Sequence, residues 1–161
     1  MHHVPIRPTS ITELQPAERL LVWTFRAWLG DPALRQHIWR EYRRHFDRPA
    51  ALDAIDAFSG TIEALRRNAR RPILYHQPCC PCLGADEVTL LIAAAALQAG
   101  NTDMAARVSL WLVRRPGVAP LLQSLGRYAD GLATYDLLLP ERVGPAVARP
   151  AGAMPELSLV H

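Results

Sequence analysis

From Val88 to Gly100 the chain carries no charge at all, and Val88, Leu90, Leu91, Ile92, the four alanines 93–96 and Leu97 leave no polar face for water. A helix that is apolar all round is either buried or membrane-spanning. A run of about 12 residues falls well short of the ~20 needed to cross a hydrocarbon core, so a buried core helix is the reading that fits. Its ends are marked. Gly84 can stand at the N-cap, Asp86 and Glu87 face the positive end of the helix dipole, and Gly100 can take a left-handed conformation after the last turn. A short all-apolar helix can only be stable with other elements wrapped around it. The expected fold is therefore all-α: one bundle of five to six helices about a central helix at residues 85–99.

The flanking segments supply those helices. Leu14, Ala17, Leu21, Phe25 and Trp28 recur at helical spacing after Ser10 or Thr12, with Pro16 tolerated in the opening turn and Gly30 closing the run. Asp31-Pro32 restarts the chain, and Leu34, Ile38, Tyr42 and Phe46 form a second stripe. Leu52, Ile55, Phe58, Ile62, Leu65 and Ala69 form a third, interrupted by Gly60, which either permits close packing or marks a break. A fifth helix is expected after Asn101 or Thr102 with Met104, Val108, Trp111 and Leu112 inward. A sixth is expected from Val118 through Leu121, Leu122, Leu125, Ala129 and Leu132 to about Leu139. The organisation expected is a polar leader at 1–9, a helical domain at 10–140 and a Pro/Ala/Gly-rich tail at 141–161 whose Leu157–Val160 end can dock.

Charge and cysteine usage bound the function. All 18 basic residues are arginine, and residues 1–71 hold 12 of them against 8 acids, whereas residues 72–161 hold 6 against 7. The basic half offers a nucleic-acid surface in Arg40, Arg43 and Arg44, with Arg35 beside them, and in Arg66, Arg67 and Arg70; a solvated helical face is the plainer account of the same residues. Three cysteines within four residues are no disulfide framework, and with no apolar signal segment in Met1–Ser10 a cytoplasmic location is expected. Met1-His2-His3 has the form of an amino-terminal Cu(II) or Ni(II) chelator. Trp23, Trp28, Trp39 and Trp111 are enough tryptophan to form a partner-binding patch as well as core.

The chemistry-bearing stretch is Tyr75-His-Gln-Pro-Cys-Cys-Pro-Cys-Leu83, directly ahead of the apolar helix. Pro78 and Pro81 fix the backbone and remove donors, so the loop is expected to be stiff. His76, Cys79, Cys80 and Cys82 match the ligand count of a tetrahedral zinc site, although neighbouring Cys79 and Cys80 diverge on an extended chain; Cu(I) suits fewer sulfurs. A second reading is a cysteine-dependent redox enzyme or hydrolase using the thiols of 79–82, with His76 as base oriented by Asp86 and Cys82 activated near a helix N-terminus. A third is that the cysteines pack as small hydrophobes where loop meets core. The leading expectation is a soluble helical binding or regulatory protein whose loop holds a metal ion, zinc first, or docks a protein partner or a second copy.

Arg70-Arg71-Pro72, Pro78-Cys79-Cys80-Pro81 and the Asp86-Glu87 pair opening an alanine-rich helix resemble a family of small bacterial helical proteins with a Pro-Cys-Cys-Pro loop. The resemblance covers about residues 65–115. It implies that the cysteine loop is a recurring feature, and it implies no activity and no catalytic residues.

Overall fold

The computed structural model describes residues 7–142, and the His2-His3 motif and the Leu157–Val160 segment lie outside them. The described residues are all-α, with helices α1 Pro16–Leu29, α2 Arg35–Tyr42, α3 Arg48–Asn68, α4 Ala85–Gln98, α5 Thr102–Ser109 and α6 Val118–Thr134. No described helix is long and apolar enough to cross a membrane. Beyond the helices there are two isolated antiparallel bridges, Ser10 with Cys82 and Ala69 with Val113.

Helix α4 is the enclosed element. Every residue from Asp86 to Ala96 is buried, and α1, α5 and α6 pack on it. Its caps are those the sequence calls for: Gly84 holds the N-cap, and Gly100 ends it with φ of 83°, a conformation that favours glycine. The most extensive helix pair is α3 on α6. Gly60 permits it, because a Cβ there would lie 2.5 Å from Ser124 Oγ. The glycine marks close packing and α3 runs unbroken through it.

Four expectations need correction. Leu52, assigned to the core face of α3, is exposed, because Ala51, Ala54 and Ala57 turn the small-residue side of the helix inward ahead of Phe58, Ile62 and Leu65. Trp111 is exposed rather than inward: α5 ends at Ser109 and the chain folds back, with the Leu112 and Val113 N–H groups both donating to the Ser109 carbonyl. Helix α6 stops at Thr134, short of Leu139. Asp136 has φ of 63°, and the Gln98 side chain of α4 takes over the next residues, donating to the Leu137 carbonyl at 3.1 Å and accepting from the Leu139 N–H at 2.7 Å. Arg142, assigned to the tail, is buried; its guanidinium meets both Glu18 carboxylate oxygens at 2.5 and 2.8 Å.

Buried hydroxyls tie α1, α2 and α6 together. Thr24 Oγ1 donates to the Leu20 carbonyl at 2.7 Å and lies 2.7 Å from Tyr42 Oη, which is 2.6 Å from Tyr128 Oη. With the Thr24 proton committed to Leu20, the one assignment that uses every proton runs Tyr128 to Tyr42 to Thr24. Burial pushes both phenols above their ordinary value of 10.

Candidate functional site

The cysteine loop is organised by a residue from another helix. Arg26, in the last turn of α1, is fully buried. An arginine carries five N–H donors and all five are used here. Nε and one Nη2 hydrogen hold the Glu87 carboxylate at 2.7 and 2.9 Å. The others donate to backbone carbonyls of the loop: Gln77 at 3.1 Å, Cys80 at 2.7 Å and Cys82 at 2.6 Å. An unpaired guanidinium in a protein interior is prohibitively costly, so the chain from 77 to 82 must keep its carbonyls turned toward Arg26.

Glu87 is the counterpart. Its carboxylate also accepts the Gly84 N–H at 2.9 Å, closing the cap of α4, and the His76 N–H at 3.1 Å. Burial acts to raise its pKa, but the Arg26 hydrogen bonds and the two backbone donors outweigh it and hold the carboxyl below its ordinary value of 4.5. Asp86 next to it is buried too, gripped by Arg71 at 2.7 and 2.8 Å and by the Leu74 N–H at 2.8 Å. The two acids read from sequence as dipole partners are thus also the anchors of the segment from Arg71 to Gly84.

The outer edge of the loop is fixed as well. Pro81 and Thr9 carbonyls accept the N–H groups of Ile11 and Leu83 at 2.8 and 3.0 Å, and the Cys80 N–H closes a turn onto the Gln77 carbonyl at 3.0 Å. Hydrogen bonds beneath and beside the loop thus tie down its backbone, in addition to the constraint its prolines impose.

With its backbone turned inward, the loop leaves its side chains outward. Cys79 and Cys82 are exposed and Cys80 is half-buried; all three are free thiols. Packing as small hydrophobes is therefore ruled out for Cys79 and Cys82. His76 is half-buried, with its ring edge 3.5 Å from the position a Cβ would take on Gly84. Among the described residues no three His, Cys, Asp or Glu side chains are gathered into a group that could hold a metal ion, so His76, Cys79, Cys80 and Cys82 share one loop without meeting at one point. The expected Asp86–His76 pairing is also replaced: Asp86 is committed to Arg71 and Leu74, and His76 is held through its backbone by Glu87.

The arginines expected to form a nucleic-acid face fall into two clusters. Arg40, Arg43 and Arg44 lie at the end of α2, and Arg66, Arg67 and Arg70 at the far end of α3, about 30 Å away along a 21-residue helix. In the second cluster Arg67 pairs with Glu63 at 2.7 Å and Arg70 donates to the Leu110 carbonyl at 2.7 Å. The tryptophans do not form the expected patch either: Trp23, Trp28 and Trp39 are half-buried against the core, and only Trp111 is exposed.

Sequence reading missed Arg26, and one signal was there to find. It is a single charge inside the apolar run from Leu20 to Leu29, on a helix that must pack against the apolar helix opened by Asp86 and Glu87. Comparison with protein families, curated proteins and solved structures finds no match to this chain.

Proposed function

We propose that this chain is a binding protein whose working surface is the loop at residues 77–82, and that its thiols hold a soft metal ion, zinc first, together with ligands from a second protein molecule. The observation that carries the reading is the orientation of the loop: carbonyls on Arg26, thiol side chains toward solvent. A backbone already fixed loses little entropy when its side chains take up a ligand. Zinc takes four ligands, with thiolate and imidazole preferred. An ion seated on this exposed edge has coordination positions facing away from the chain, and a second copy presenting the same loop about a two-fold axis can fill them. Leu74 and Tyr75, a few residues ahead of the thiols in the chain, are exposed as well.

The test is a zinc titration of reduced, metal-free protein followed by mass in solution and bound metal. The expected result is a dimer holding about one zinc per two chains, as four-coordination shared between two loops requires. Cys79→Ser and Cys82→Ser should abolish both. A one-to-one monomeric complex would overturn the shared form, and unchanged mass with negligible bound zinc would overturn the metal reading altogether.

A further inference from the structure

A second surface lies apart from the thiols, at the corner made by α2, the turn at 43–47 and the first turn of α3. Residues 35–48 contain five arginines against Glu41 and Asp47, a surplus equal to the +3 of the whole chain. Both acids are engaged. Asp47 caps α3 through the Ala50 N–H at 2.9 Å and accepts Tyr135 Oη at 2.8 Å, while Glu41 is shared by Arg44 at 3.5 Å and His45 at 3.2 Å. Arg35, Arg40, Arg43, Arg44 and Arg48 are all exposed.

Three of these guanidinium groups are held against indole rings. Arg35 lies 5.8 Å from the Trp28 ring centre, and Arg43 and Arg48 lie 5.9 and 5.6 Å from that of Trp39. An arginine resting on an aromatic ring has given up much of its rotamer freedom before any ligand arrives, and its planar fork remains suited to bidentate contact with phosphate. Arg40, in the last turn of α2, and Arg44, in the turn that follows, add two more exposed cations to the same corner.

We propose that this corner binds the phosphodiester backbone of a nucleic-acid strand. A surface made for anionic membranes sets apolar side chains among its arginines for insertion. Of the large exposed apolar residues among those described, only Leu52 belongs to α2 or α3. Fixed planar cations with little apolar surface fit a string of phosphates. The proposal does not depend on the cysteine loop.

The experiment measures fluorescence anisotropy of labelled single-stranded RNA, single-stranded DNA and duplex DNA with the full chain, under reducing conditions with chelator. Four phosphate contacts, one each from Arg40, Arg43, Arg44 and Arg48, predict a log–log salt slope near −2.8 on single strands, a loss of about 50-fold between about 50 and 200 mM salt. Arg40→Gln with Arg44→Gln, both at exposed positions, should bring the slope to about −1.4 while leaving the circular dichroism unchanged. Arg66→Gln with Arg67→Gln, at the other end of α3, should leave the slope where it was. Absence of binding at low salt, an unchanged slope in the Arg40/Arg44 variant, an equal loss in the Arg66/Arg67 variant, or binding to phosphatidylserine vesicles but to no strand would each overturn the proposal.

Discussion

Helix α1 carries a buried charge near each end: Glu18 in its first turn and Arg26 in its last. Both signs suit the helix dipole, and both find a bidentate partner from far along the chain, Arg142 for Glu18 and Glu87 for Arg26. The difference lies in where the described contacts of each arginine fall. Arg142 closes the described chain onto α1, reaching Glu18 and, at 3.5 Å, the Glu13 carbonyl. Arg26 takes three carbonyls of one loop in addition to its carboxylate. One pair fastens two parts of the chain together; the other shapes a surface. A buried ion pair is thus weak evidence of function by itself; what ties Arg26 to a surface is that its further acceptors are three carbonyls of one loop.

The largest effect expected is from Arg26→Met. Removing one partner of a buried pair costs about 3–5 kcal/mol, and here three loop carbonyls lose their donor as well. Arg142→Met should cost less: Glu18 and Glu87 both keep backbone donors, but the Arg26 change also strips the Gln77, Cys80 and Cys82 carbonyls of a donor. Denaturant unfolding ranks the two, and amide exchange separates their roles. The Ile11 and Leu83 N–H groups, which bond the loop's edge, should lose protection in the Arg26 variant and keep it in the Arg142 variant. Equal exchange in both would remove the distinction between loop-shaping and fastening.

Next in size is the hydroxyl chain, a neutral counterpart to the two ion pairs. Tyr42→Phe leaves the Tyr128 proton without its acceptor and should cost about 1–3 kcal/mol. The phenols also set an alkaline limit. Their folded pKa values are raised, so their contribution is complete below the ordinary value of 10 and is lost as pH rises above it. Stability against pH should therefore fall on the alkaline side, less steeply in Tyr42→Phe.

How far the sequence reveals this molecule follows from how local each signal is. The span and caps of α4 depend on residues adjacent to it, and they are legible. The cysteine loop is legible as a feature, but its exposure is not, since packing of the thiols against the core fits the same residues. Arg26 beneath the loop is not legible, because its meaning lies in acceptors 51 to 61 positions away. Leu52 and Trp111 follow the helical period yet face water, since period alone does not fix which of two adjacent stripes is buried when alanines provide a closer fit. The end of α6 depends on Gln98, a residue of another helix.

Acid titration tests the loop-shaping pair more gently than deletion does. The Glu87 carboxyl is held below 4.5, so its contribution is present above that value and is lost as pH falls through the folded pKa. Glu87→Gln keeps an acceptor but not the charge. It should lower stability at neutral pH and flatten the acid limb of the stability curve, so that the two proteins converge as pH drops. Parallel curves would place the acid limb in other carboxylates.

The smallest effect belongs to the ion pair that resembles the others most on paper. Arg67 and Glu63 meet at 2.7 Å, the same distance as the closest Arg26–Glu87 contact, yet their side chains are 75% and 52% exposed. Solvent screens the attraction, and holding two long side chains in one arrangement costs entropy, so an exposed i,i+4 pair stabilises by about 0.3–0.5 kcal/mol. Arg67→Ala should lower the unfolding free energy by no more than that, and added salt should erase the difference. A loss approaching that of Arg142→Met would mean that distance, and not desolvation with its orphaned acceptors, governs the ranking of ion pairs in this fold.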